Sequence, residues 1–241
     1  MRERLLSLLL EEKNTGLKGG LYHKTQINLA YNSNRIEGSR LTEEQTRYIY
    51  ETNTIMNEDE EPLKVDDILE TVNHFRCFDF MLDHAEEELT EELIKEYHRL
   101  IKDNTSDAKK EWFRVGDYKL RPNEVGGMQT TLPKDVNQEM QTLLAEYMKK
   151  QKVTFEDIVD FHQRFEKIHP FQDGNGRVGR IIMFKECLKQ DILPFIIDEQ
   201  HKWYYYRGLK EYPQEKGYLL DTCRSAQDVY EGYVRYFFPE Q

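Results

Sequence analysis

Long apolar runs are missing from this sequence. Nowhere do its 241 residues offer the roughly 18 consecutive apolar positions that a membrane-spanning helix needs. Leu5–Leu10 is apolar but short, and Glu11, Glu12 and Lys13 follow at once. No small-residue cleavage site comes after it, so it does not read as a secretory leader. The chain is therefore expected in the cytoplasm, with no membrane partner. Basic stripes are missing too. The net charge is -11, whereas nucleic-acid binders carry clustered Lys and Arg, which argues against DNA or RNA. Cysteine is scarce. Cys77, Cys187 and Cys223 are scattered, odd in number and without CxxC or zinc spacing, as expected of incidental thiols in a reducing compartment. Internal repeats and low-complexity linkers are also absent.

Charge and helical periodicity are abundant. Charged residues make up 33% of the chain, and the mean hydropathy is -0.82. The length suits one large helical domain or two small ones, with a core that needs no staples. Met1–Lys13 and Lys24–Asn34 read as helices, and Gly38 is a plausible stop. Thr42 with Gln45 forms a capping box for a helix to about Glu51. Pro62 suits the first turn of a helix reaching about Glu88, with Val65, Ile68, Leu69, Val72 and Phe75 on its apolar face. Thr90 caps the next helix. Residues 113–131 are rich in Gly, Val, Arg and Asn, and Gly126-Gly127 signals a β-hairpin. Asp135–Gln151 is helical again. Thr154 caps a periodic helix that ends at His169-Pro170, because the residue before proline resists helical torsions. Gly176–Leu188 follows, and Glu199–Phe238 reads as three short helices. The fold expected is all-α, a single helical bundle with one small hairpin.

The segment His169–Arg180, HPFQDGNGRVGR, concentrates the chemistry. Gly174-Asn175-Gly176 can adopt positive φ and expose successive N–H groups, which makes an anion nest. The nest opens a helix whose free N–H groups and dipole also attract anions. Arg177 and Arg180 share one helical face and can grip two phosphates. Asp173 at the mouth would weaken phosphate binding unless it holds Mg²⁺. His169 can take a proton from an attacking hydroxyl. No Gly-Lys-(Ser/Thr) follows, so this is not a Walker loop. Because the surface is acidic, the nest must draw a nucleotide with local cations and amides.

This segment resembles the Fic motif, HxFx(D/E)GNGRxxR, at every defined position: His169, Phe171, Asp173, Gly174, Asn175, Gly176, Arg177 and Arg180. The resemblance covers about residues 60–210. It implies a helical Fic fold and protein adenylyltransferase activity, moving AMP from ATP to a Ser, Thr or Tyr hydroxyl. It makes His169 the general base, Phe171 the loop anchor and Asp173 the Mg²⁺ ligand. Gly174, Asn175 and Gly176 would cradle the α- and β-phosphates, Arg177 would contact the β-phosphate and Arg180 the γ-phosphate. An intact glycine and second arginine favour AMP over the other phosphate-containing groups that relatives transfer. The alternative is a regulatory or toxin-like Fic protein that moves another such group or none.

Ser33-Asn34-Arg35-Ile36-Glu37-Gly38 resembles a second Fic pattern, (S/T)xxxE(G/N), the inhibitory helix. Here it precedes the core, spanning residues 24–38. The resemblance implies that Ser33 and Glu37 restrain activity, with Glu37 taking Arg180 from the γ-phosphate. Some relatives use this glutamate to orient a water that removes AMP. Residues 113–131 resemble the family's flap, whose edge can pair with a target segment. Tyr205 and Tyr206 are the candidates for an adenine ring contact. His162 reads as a core histidine. The remaining histidines form no metal spacing. The expected organisation is N-terminal helices over 1–58, a core over 59–210 and C-terminal helices over 211–241. The expected partners are ATP and a protein, the chain itself included; a homodimer stays open.

Overall fold

The computed structural model describes residues 3–56 and 62–239. Among these residues are ten α-helices and one hairpin, as the periodicities predict. The helices are α1 (Glu3–Thr15), α2 (Leu21–Ile36), α3 (Glu43–Thr52), α4 (Val65–Asp83) and α5 (Glu91–Lys102). After the hairpin come α6 (Pro133–Met148), α7 (Phe155–Ile168), α8 (Asn175–Lys189), α9 (Lys202–Glu211) and α10 (Gly217–Phe237). The Met1 start of the first expected helix, the 58/59 boundary and the chain's last residue, Gln241, lie outside the described residues.

The predicted caps form. Thr42 and Gln45 bond reciprocally, Thr90 accepts from the Leu93 N–H, and Thr154 reciprocates with Asp157. Each satisfies first-turn N–H groups that have no helical acceptor. Three expectations need correction. Helix α4 starts at Val65 rather than Pro62, where Asp66 and Asp67 complement the positive end of the helix. It stops at Asp83, short of Glu88, because the His84 N–H splits between Phe80 O and Met81 O and its ring stacks on Phe80. The tail holds two helices, not three. Leu219, Thr222, Cys223, Ala226 and Tyr230 are buried along one unbroken stripe, which keeps α10 continuous. The hairpin is also shorter than expected. Only β1 (Glu124–Val125) and β2 (Met128–Gln129) pair, antiparallel, with Glu124 opposite Gln129. Gly126 and Gly127 both have positive φ, the torsions a two-residue turn needs.

Helix α8 is the spine. Nearly all its side chains are buried, as befits a helix covered all round. Helices α7, α5, α4 and α2 pack around it. Phe78, Tyr97, Phe165, Phe171, Ile181 and Phe184 form the main core. Leu9, Leu21 and Leu29 from the first two helices join that same cluster. A second cluster, with Met183, Phe195, Tyr205, Leu219 and Cys223, fills the α9–α10 side. No helix among the described residues is long and apolar enough to cross a membrane.

Candidate active site

Helix α7 ends on a strained residue. His169 takes φ 52, ψ 62, a left-handed conformation that costs about 1–2 kcal/mol for a residue with a Cβ. Strain of this kind gathers at functional sites. The turn it makes is over-determined. Phe171 is buried and stacks on His98 at 4.0 Å between centroids. Asn175 Oδ1 accepts from the Phe171 N–H at 2.8 Å, and Asn175 Nδ2 donates to Phe171 O at 2.9 Å. The Asn175 side chain thus clips the loop shut, and its backbone opens α8. Gly174 caps α8 with φ 83.

His98 supports this turn from α5. The Gly116 N–H donates to His98 Nδ1 at 2.9 Å. Nε2 therefore carries the ring proton and donates to Asp173 O at 3.1 Å. Burial drives the His98 pKa down to about 3, so the ring is a neutral strut between the flap segment and the loop.

Four charges form a closed ring beneath the nest. Asp173 Oδ2 meets Lys102 Nζ at 2.7 Å and Arg177 Nη2 at 3.1 Å. Glu70 completes the ring, with Oε1 on Lys102 at 2.7 Å and Oε2 on Arg177 at 2.5 Å. Burial alone would raise the Asp173 pKa; Arg177 and Lys102 outweigh it and hold the carboxyl well below its usual range. Arg177 is 2% exposed. Its Nε finds no hydrogen-bond acceptor among the described residues, and its Nη1 meets Glu70 as an ion pair without hydrogen-bond alignment.

Arg180 faces α2. Its Nε donates to Ser33 Oγ at 3.0 Å, and Nη2 donates to Ser33 O at 2.9 Å and to Glu37 Oε1 at 2.7 Å. Ser33 and Glu37, four residues apart, share a helical face. Gly38, with φ 97, closes α2. The Gly38 N–H bonds to Arg35 O and the Ser39 N–H to Asn34 O, a Schellman pair that pins Glu37 as the final capping residue. The Glu37 carboxylate also lies against Gly176. An ideal Cβ there would sit 2.2 Å from Glu37 Oε1.

His169 lies nearby with a buried Nδ1 3.8 Å from Glu166 Oε2. Neither His169 Nδ1 nor Glu166 Oε1 has a hydrogen-bond partner among the described residues. Burial, then the Lys119 cation, lowers the His169 pKa to about 4, so the ring is neutral near pH 7. Burial, then the Glu37 charge, raises Glu166 to about 8. Lys119 is itself buried beneath the hairpin. It donates to Asn123 Oδ1 and Thr130 Oγ1, both at 2.7 Å, and burial lowers its pKa to about 8.

The two tyrosines separate. Tyr205 is 1% exposed, and its hydroxyl lies 2.7 Å from His162 Nε2, so both are core residues. For Tyr205 this corrects the expected adenine contact, since no ring face is open. Tyr206 is 42% exposed and donates to Ile36 O at 3.0 Å, beside Glu37. The motif residues thus converge from α2, α7 and α8. Glu70, Lys102, His98, Lys119 and Glu166 went unread. His98 and Lys102 share one face of α5, four residues apart, but Glu70 and Lys119 lie on distant segments and nothing in the sequence joins them to that pair. Glu166 sits three residues before His169, a helical neighbour that the stripe of α7 would have placed beside it.

Residues 88–187 match the family model described as Fic/DOC family. The protein adenylyltransferase Fic of Nematostella vectensis is 26% identical over 215 residues, which cover 85% of this chain and 48% of that protein. That of Aedes aegypti is 28% identical over 188 residues, covering 75% and 36%. The chain thus spans about half or less of these curated relatives. Among solved structures, a Fic domain containing signaling protein from Bacteroides thetaiotaomicron superposes with a TM-score of 0.72. It has 24% identity, and the match covers 98% of this chain and 91% of that one. Fic-1 (residues 134–508) from C. elegans superposes with a TM-score of 0.75 at 18% identity, covering 100% and 73%. Both likenesses show the fold.

Proposed function

We propose that this chain, which carries a Fic/DOC domain, transfers AMP from ATP to a Ser, Thr or Tyr hydroxyl of a protein and that Glu37 restrains it. The seating of Glu37 carries the reading. A carboxylate rests on the first turn of α8, against Arg180 and Gly176, where the free N–H groups and dipole favour an anion. A γ-phosphate offers the same charge to the same arginine. While Glu37 holds Arg180, ATP binds out of line, and a misplacement of about 1 Å costs on the order of 100-fold.

In the reaction, the target hydroxyl oxygen attacks the α-phosphorus. The bond from that phosphorus to the oxygen bridging to the β-phosphate breaks, and pyrophosphate leaves. His169, neutral near pH 7, accepts the hydroxyl proton. Arg177 would contact the β-phosphate, and its Nε–H, which has no acceptor among the described residues, is a donor free for it. Tyr206 supplies the open ring for adenine. The side chain of Asp173 is 45% exposed and anionic, which fits Mg²⁺ held by one carboxylate together with phosphate oxygens. Bound there, Mg²⁺ would neutralise charge developing on the phosphates.

The test uses ATP labelled at the α or the γ position. Glu37→Gly should label protein from the α position only, on the order of 100-fold above wild type. Label from the γ position, or none from either, would overturn the reading.

A further inference from the structure

Lys102 ends α5 with 1% exposure, which is rare for a lysine unless it is fully paired. Its pairing is complete. The ammonium's three donors meet Glu70 Oε1 at 2.7 Å, Asp173 Oδ2 at 2.7 Å and Asp107 Oδ2 at 3.1 Å. We propose that Lys102 is a resident cation filling a three-carboxylate cage beneath the catalytic loop, so that a divalent metal joins Asp173 only together with nucleotide phosphates. This rests on the reading of Asp173 as the metal ligand.

The ammonium is locked in place. Lys102 Cδ and Cγ lie 3.5 and 3.6 Å from the ideal Cβ position of Gly174, so the stem floors the loop. Nζ also sits 5.5 Å from the centre of the Phe113 ring. All three of its donors are taken by carboxylate oxygens, bonds that favour the charged ammonium.

The carboxylates in direct contact are already paired with cations. Glu70, Asp107 and Asp173 supply the anions; Lys102, Arg177 and Lys110 supply the cations, with Lys110 on Asp107 at 2.5 Å. A free divalent ion meets carboxylates that are bonded and neutralised. Mg²⁺ sheds water reluctantly, so nothing here repays its dehydration. Nucleotide phosphates change that balance by adding oxygens and negative charge beside Asp173. Metal and nucleotide then enter as one complex, and the nucleotide-free loop stays metal-free.

Mn²⁺ binding, read by electron paramagnetic resonance, tests this without turnover. Wild type should bind Mn²⁺ weakly alone and about tenfold or more tighter with a non-hydrolysable ATP analogue. Lys102→Met keeps the stem and removes the charge. Without nucleotide it should bind Mn²⁺ on the order of 10–100-fold tighter than wild type. The pair Lys102→Met/Asp107→Asn removes one charge of each sign and protects folding. It should still bind about tenfold tighter, because Asp173 and Glu70 lose the ammonium that occupies their oxygens. Equal Mn²⁺ affinity in wild type with and without the analogue overturns the proposal. So does wild-type affinity in both variants when circular dichroism shows them folded. Failure of Glu37→Gly to transfer AMP would sink the proposed function and leave the Mn²⁺ results standing.

Discussion

Burial and the Lys119 ammonium together keep His169 neutral near pH 7. Its ring should therefore titrate near pH 4, far below the usual 6.5, when followed by histidine ring NMR. Lys119→Met should move that midpoint up, though only in part, because burial is the larger cause. An unchanged midpoint would show that Lys119 does not act on His169. Arg180 has two anchors on α2, and they are unequal. Glu37 supplies a charge, while Ser33 supplies a hydroxyl and a carbonyl. Ser33→Ala removes one neutral acceptor, worth about 1 kcal/mol. It should raise AMP transfer about fivefold, well short of Glu37→Gly. A serine variant as active as the glutamate variant would contradict this ranking of the anchors.

The proposed brake depends on how α2 ends. Gly38 supplies the left-handed torsion that closes the Schellman pair, and Glu37 is placed by that closure. Gly38→Ala meets no steric obstacle but strains φ by about 1–2 kcal/mol, roughly 2–8 °C in Tm. Basal transfer should rise as the last turn frays, and calorimetry beside the labelled-ATP assay would detect both changes. A lower Tm with unchanged transfer would uncouple the cap from the brake. This element was legible because its signals are local: Ser33, Glu37 and Gly38 lie within one helical turn and a cap. Local caps at Thr42, Thr90 and Thr154 were legible for the same reason. The flap was legible only at its Gly126-Gly127 turn. The rest of residues 113–131 is held by Lys119 and Asn123 on the loop backbone, contacts between distant segments that leave no periodic trace. The charge ring is harder still, since Glu70 and Lys102 look like ordinary polar residues on amphipathic helices until α4 and α5 pack together.

Across the whole molecule, several histidines are folded in their neutral form. His74, His98 and His162 are lowered to about 3 and His169 to about 4, in each case first by burial. The unfolded chain takes up these protons near pH 6.5 while the folded chain refuses them. Stability is therefore lost as pH falls below about 6.5. Glu166 works in the opposite sense. Its folded pKa is raised to about 8, so it costs stability as pH rises from about 4.5 to 8. Between pH 4.5 and 6.5 about three protons separate the states, or roughly 4 kcal/mol per pH unit. Urea melts should place a stability maximum near pH 6.5, with a steep acid side and a shallow decline toward pH 8, where the lowered Lys119 pKa ends the fall. Glu166→Gln should flatten the alkaline side and leave the acid side steep.

One atom-sized gap has a wider reach. The space over Gly176 receives the Glu37 carboxylate, and it is also the floor of the proposed phosphate nest. Any side chain at 176 would evict the restraint and fill the cradle in the same stroke. A descendant of this chain that sheds the proposed restraint and keeps the nest would therefore be expected to change α2 rather than Gly176.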